Sequence, residues 1–347
     1  MLDSLEIRGY RGFKEFRITK LGRVNLLVGG NSSGKTTVLE AVELLWSGGR
    51  SPALWRIGQR RGETQVVLEE EFREISHLTA LALRYFFNSD DLTEMTCEIS
   101  GRAESQLLKW TGALTPGADP LTGGYRLLIQ SENRSISVDV EPDLSAVMRL
   151  PPTTRGDLFA VSNLQVVGTS GITPQEVRTL FSSIALSSDE DTVLDAMRLL
   201  EPRLSRLAIL EGSLPTRSHI VLRMGAADRM PIGILGDGIW RVLGLILKLV
   251  NARGGTLIVD EIDTGLHHSV MVKVWKMILE TAKRLDVQVF ATTHSLDCVR
   301  AFEPLSQGRG MENSEAFIHR IDREQLEATT YSEKMISYAI QDDLEVR

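Results

Sequence analysis

The chain has 347 residues, 42% hydrophobic and 24% charged, with a formal charge of −7 and a pI near 5.5. This is the composition of a globular protein with a well-buried core; it excludes a disordered chain and wholesale coating of nucleic acid, while leaving room for a local basic patch. Cys97 and Cys298 form no spacing motif, the N-terminus is charged, and no apolar run approaches the roughly 20 residues of a membrane helix, so a reducing, cytoplasmic setting is expected.

In chain order, "SLEIRGY" and "RVNLLVG" read as strands. A helix is expected from Lys35 to about Trp46, with Val38, Ala41, Val42 and Leu45 on one face and Ser47-Gly48-Gly49 as its stop. Between strand and helix, "GGNSSGKTT" (29–37) fits the phosphate-loop pattern: Gly29, Gly30, Asn31, Ser32, Ser33 and Gly34 wrap a phosphate, followed by Lys35, Thr36 and Thr37. The helix N-terminus adds bare N–H groups and a positive dipole end. Lys35 is expected on the β- and γ-phosphates of ATP and the Thr36 hydroxyl on Mg²⁺.

"RSPALWRIGQRRGE" (50–63) gathers Arg50, Arg56, Arg60, Arg61 and Trp55. It reads either as a DNA-phosphate contact with stacking or as an ordinary solvated or protein-contacting surface. From about Gly62 to Asp143, short segments separated by Gly, Asn, Asp and Pro predict antiparallel strands. From about Thr173 to Leu210 helices are expected, starting at Thr173-Pro174 and Ser188-Asp189.

"ILGDGIWRVLGLI" (234–246) places Ile239, Val242, Leu243 and Ile246 on one helical face, behind Gly236-Asp237-Gly238. Those glycines are either a turn before a core helix or a set of bare N–H groups for a phosphate. "TLIVD" and "VQVFATT" are continuously apolar strands separated by a helix with Met271, Val274, Trp275 and Ile278 aligned, which predicts a parallel sheet covered on both faces. Asp260 and Glu261 close the first of these strands, placed to hold Mg²⁺ and to polarise an attacking water; His294 closes the second, placed to donate to a γ-phosphate. His267 and His268 fit no zinc spacing, so Mg²⁺ is the one metal expected.

The order "GGNSSGKT", "LGDG", "IVDEIDTGLH", "TTHS" resembles the ABC-type ATPase head shared by structural-maintenance-of-chromosomes (SMC), RecF and OLD proteins, a branch of the AAA-type ATP-binding proteins. The resemblance covers about residues 1–60 and 205–300. It implies an α/β P-loop NTPase with four parts: 1–61 and 213–347 as the two portions of the head, 62–150 as an antiparallel β lobe and 151–212 as a helical insertion. It also implies that Gly236, Asp237 and Gly238 form the signature loop, that Asp263 crosses to a partner head, that His294 is the switch histidine, and that Arg11 lies near the nucleotide. Gln165 is its candidate glutamine-loop ligand for Mg²⁺. Family members often carry Ser at position 236, so slow turnover is expected of this ATPase.

Such heads sandwich two ATP molecules in a two-fold homodimer. The compact insertion is similar to that of OLD proteins, but the stretch after His294 shows no Asp-x-Asp, and Asp342-Asp343 have no strand before them. The expectation is therefore an OLD-like ATPase acting on a separate effector, with a toprim-type nuclease in anti-phage defence as the candidate. The alternatives are a RecF/SMC-like ATPase that binds DNA in repair or chromosome maintenance, and an ATP-sensing scaffold without useful turnover. No membrane partner is expected.

Overall fold

The strands Val24–Val28, Thr256–Val259 and Gln288–Thr292 are buried at every position, and each therefore needs cover on both faces. In the computed structural model they lie side by side in one sheet. The structure describes residues 1–48, 51–68, 74–78, 86–88, 95–116, 125–132, 134–140, 146–149, 163–210, 220–225, 229–306 and 315–331.

The sheet has six strands in the order β11 (Leu164–Val167), β15 (Thr256–Val259), β16 (Gln288–Thr292), β3 (Val24–Val28), β17 (Ala316–Arg320) and β18 (Thr329–Tyr331). All pairs are parallel except the last. Its side chains alternate between two cores. Leu26, Leu257, Val259, Val289 and Ala291 face one, shared with the helices α3 (Pro174–Ile184), α4 (Ser188–Arg198), α5 (Asp237–Asn251), α6 (His268–Leu285) and α7 (Leu296–Ser306). Leu27, Ile258 and Phe290 face the other, shared with helix α1 (Lys35–Trp46), helix α2 (Ser51–Arg60) and a second sheet.

That second sheet is antiparallel throughout, with the order β2 (Phe13–Ile18), β1 (Leu2–Tyr10), β6 (Thr96–Ala103), β7 (Gln106–Pro116), β8 (Tyr125–Ser131), β9 (Arg134–Val140), β10 (Ala146–Arg149), β5 (Glu74–Leu78), β4 (Thr64–Leu68). A third, of β12 (Leu204–Ile209), β13 (Ile220–Met224) and β14 (Arg229–Pro231), leads into the 3-10 turn Ile232–Leu235 and α5.

The parallel sheet, the antiparallel region and the α1 boundaries follow the sequence reading; several details do not. The helical stretch expected up to Leu210 ends at Arg198, and Leu204–Ile209 is a strand because it pairs with β13. Tertiary pairing overrides the local pattern there. The 151–212 stretch also supplies β11 to the parallel sheet. Thr173 caps α3 with a full capping box, whereas α4 is capped by Ser187, one residue before the expected start. α1 and α5 are buried around most of their circumference rather than on one face, because each lies between other layers. Within α5, Val242, Leu243 and Ile246 are buried and Ile239 is half-buried.

Candidate functional site

The carboxyl ends of β3, β15 and β16 converge where parallel sheets bind ligands. From β3 the chain enters the loop Gly29–Gly34 and then α1. Gly34 has φ +105 and its Cα faces the Phe13 ring so closely that a Cβ would stand 2.4 Å from Cζ, so only glycine fits. Ser32 also adopts a left-handed φ of 59°, a conformation that costs a non-glycine residue energy. Gly30, Asn31, Ser32 and Thr36 are exposed, while Gly29, Gly34, Lys35 and Thr37 are buried.

The Lys35 ammonium donates to the carbonyls of Gly29 and Gly30, both at 2.8 Å, and lies 3.5 Å from His294 Nδ1. Burial lowers its pKa, opposed by the carboxylates of Asp260 and Glu261. Thr36 Oγ1 donates to Asp260 Oδ2 at 3.3 Å, and Thr292 Oγ1 donates to Asp260 Oδ1 at 2.6 Å. The Thr36 hydroxyl and Asp260 carboxylate are hard oxygen donors of the kind Mg²⁺ takes alongside substrate phosphates. Ser33 Oγ is buried in the loop with no partner, a polar atom that a bound phosphate would satisfy. The residues present fit a Mg²⁺–nucleotide, and among the described residues no group of three His, Cys, Asp or Glu forms another metal site.

Glu261 follows with φ 49, a left-handed conformation for a non-glycine residue. Three contacts fix it: its N–H donates to Thr292 Oγ1 at 2.8 Å, its Oε2 accepts from Thr264 Oγ1 at 3.1 Å, and its carbonyl accepts from Arg241 at 3.2 Å. Arg241 lies on α5, one turn behind Gly236-Asp237-Gly238, and also bonds the carbonyls of Asp260, Gly168 and Thr169. Burial lowers its pKa, while Glu261, Asp263 and Asp260 work to raise it. Sequence reasoning missed Arg241, Thr292 and Thr293. The doubled threonine before His294 was the one available signal.

Gly236-Asp237-Gly238, the signature loop that the resemblance implies, sits at the start of α5. Gly236 has φ 86 and ψ 174, a region open essentially to glycine alone. A side chain at position 236 would meet no atom within 4 Å, so backbone shape and not crowding selects glycine. Asp263 turns back onto its own sheet, accepting from Thr293 Oγ1 at 2.5 Å.

Of the other residues named from the resemblance, Gln165 stands away from this cluster and Arg11 is engaged by carboxylates. Gln165 pairs with Leu257, three residues before Asp260 and about 10 Å along the strand at about 3.3 Å per residue. Arg11 spends its guanidinium on Glu40 and Glu63, 2.7 and 2.8 Å away. Burial works to lower its pKa, but Tyr10, Glu63 and Glu40 hold it above the usual range. The arginine cluster is likewise paired inward: Arg56 and Arg60 with Glu43, and Arg61 with Glu40, while Trp55 is buried. Glu40 and Glu43 are buried on α1, and these arginines supply their counter-charges. Arg50, Asp342 and Asp343 lie outside the described residues.

Comparison with known proteins gives the same picture. Residues 1–115 match a family model described as "AAA ATPase domain" and residues 177–297 one described as "AAA domain, putative AbiEii toxin, Type IV TA system". A protein of Helicobacter pylori named "ATP/GTP phosphatase" is 19% identical over 99% of both chains. Among solved structures, an SMC head bound to the C-terminal winged-helix domain of ScpA aligns with a TM-score of 0.53 at 14% identity, covering 95% of this chain and 98% of that one. An SMC head with an extended coiled coil bound to the C-terminal domain of ScpA, derived from Pyrococcus furiosus, aligns at 0.51 and 12% identity over 99% of both chains. No helix among the described residues is long and apolar enough to cross a membrane. Two stretches of the chain, 1–115 and 177–297, match family models of AAA-type ATPase domains, and the fold is that of SMC heads.

Proposed function

We propose that this chain binds and hydrolyses ATP with Mg²⁺ in a head-to-head homodimer and passes the nucleotide state to a separate effector protein. The carrying observation is the convergence of Lys35, Thr36, Asp260, Glu261 and His294 on one sheet edge, with Lys35 Nζ 3.5 Å from His294 Nδ1 and Thr36 3.3 Å from Asp260. Bound Mg²⁺ would neutralise charge on the β- and γ-phosphates. Lys35 holds the phosphates, Glu261 takes up the proton of the attacking water, and His294 donates to charge growing on the γ-phosphate.

The dimer reading is supported by the signature loop, where α5 opens with no side-chain cap, beside Ile234 at 68% exposure. An uncapped helix start suits a phosphate presented by a second copy. The OLD-like character, the toprim-type nuclease as effector and the defence role rest on resemblance of motifs alone. The inward pairing of Arg56, Arg60 and Arg61 gives no support to direct DNA binding.

Glu261→Gln is the deciding variant. It is expected to bind ATP, release no phosphate and accumulate as a dimer in light scattering with ATP and Mg²⁺. A Glu261→Gln protein that stays monomeric with ATP bound would remove the dimer, and a wild-type chain that binds ATP without releasing phosphate would make it a scaffold.

A further inference from the structure

The phosphate loop has two flanks. On one, β16 and β15 end in His294, Asp260 and Glu261, the groups suited to the γ-phosphate end. On the other, β17 runs parallel to β3 up to the loop, and Ile321 N donates to Val28 O at 2.8 Å. The chain then turns directly against the loop, since a Cβ at Gly29 would stand 2.5 Å from the Ile321 carbonyl oxygen. Asp322 fixes this turn by accepting from Glu324 N at 3.0 Å.

At its tip is Arg323, whose guanidinium packs against Gly12 in the β1–β2 turn; a Cβ on Gly12 would stand 2.9 Å from its Cζ and Nε. That same β1–β2 turn reaches the phosphate loop through Phe13, which covers Gly34. Arg323 is exposed and makes no hydrogen bond or ion pair among the described residues, unlike Arg11 and Arg17. A planar cation packed against a glycine, exposed and with its donors unspent, is prepared for a planar or anionic ligand.

With the γ-phosphate directed toward β16 and β15, the remainder of the nucleotide leaves the loop on the β17 side. We propose that Arg323 is a nucleotide-contacting residue that stacks its guanidinium on the base of the bound nucleotide and favours the larger purine ring. This rests on the nucleotide-site reading above.

The test is calorimetric titration of the full chain, wild type and Arg323→Ala, Arg323→Lys and Lys35→Ala, with ATP, CTP and inorganic tripolyphosphate, each with Mg²⁺. Arg323→Ala is expected to weaken ATP about threefold to tenfold, to leave tripolyphosphate unchanged, and to narrow the preference for ATP over CTP. Arg323→Lys, which keeps the charge and loses the plane, recovers only part of that loss. Unchanged ATP affinity in Arg323→Ala, with binding abolished in Lys35→Ala, overturns the proposal and leaves the site intact. Equal weakening of ATP and tripolyphosphate moves the contact to the phosphates and also overturns it. Lys35→Ala that still binds ATP normally would strike the nucleotide-site reading itself.

Discussion

The guanidinium of Arg241 holds the main-chain carbonyl of Glu261 at 3.2 Å, and Glu261 is held in a left-handed backbone conformation. Arg241 belongs to the helix that begins at Gly236-Asp237-Gly238, so one side chain ties the signature turn to the acidic strand end of the same chain. Losing it leaves four carbonyls short of a donor and releases a strained backbone. Arg241→Ala is expected to lower kcat by about tenfold to a hundredfold, each tenfold being about 1.4 kcal/mol, with ATP affinity held within about threefold. Phosphate release and calorimetry on the same preparation check this; a loss of affinity equal to the loss of kcat would contradict it.

Gly236→Ser restores a hydroxyl common in the resembling heads, yet it places a side chain at φ 86, ψ 174. The expected outcome is a loss of about 1–3 kcal/mol in urea unfolding and no gain in turnover. Faster hydrolysis at unchanged stability would show that the loop relaxes to accept serine.

Glu43 is 1% exposed at its side chain and neutralises Arg56 and Arg60. Glu43→Ala removes the buried counter-charge of two arginines that are each 35% exposed at the side chain, and a cost of about 1–3 kcal/mol is expected in denaturant unfolding. The conservative Glu43→Gln retains hydrogen bonding and should cost less.

His319 is fully buried, with Nε2 3.1 Å from Asn25 Oδ1 and Nδ1 3.0 Å from Thr330 Oγ1. Burial lowers its pKa to about 3, so the folded protein keeps it neutral while the unfolded chain protonates it near about 6.5. Between those values the unfolded state binds more protons, and stability falls as the pH falls, by about 1.4 kcal/mol per unit. Comparing urea midpoints at pH 7 and 4.5 should show a smaller acid loss in His319→Gln than in wild type; equal losses would assign the acid sensitivity elsewhere.

What the sequence made legible is chemistry that is local in the chain. The phosphate loop, the α1 boundaries and the Asp260-Glu261 strand end each fit within a few consecutive residues, where spacing and geometry determine one another. Arg241 and Thr292 acquire their meaning from partners 20 and 31 residues away, and nothing in their own neighbourhood marks them. The arginines at 56, 60 and 61 were ambiguous for the opposite reason. Their counter-charges, Glu40 and Glu43, sit inside a helix whose face had been read from its apolar residues alone. Gln165 shows the limit of motif transfer: only strand register reveals that it lies short of the acidic end.

The strand that feeds the phosphate loop sits between two strands that lie more than 260 residues later in the chain, with Asn25 level with Phe290 on one side and with Phe317 on the other. A chain emerging from the ribosome thus presents β3 with one edge open until synthesis passes Thr292 and the other until it has nearly reached residue 320, an interval of about 15–60 s at about 5–20 residues per second. Throughout that interval its unpaired edges need shielding from other chains. Nucleotide competence arrives late and all at once, so an interrupted translation product carries the motif without the pocket and is a client for chaperones and proteases, not a partial enzyme.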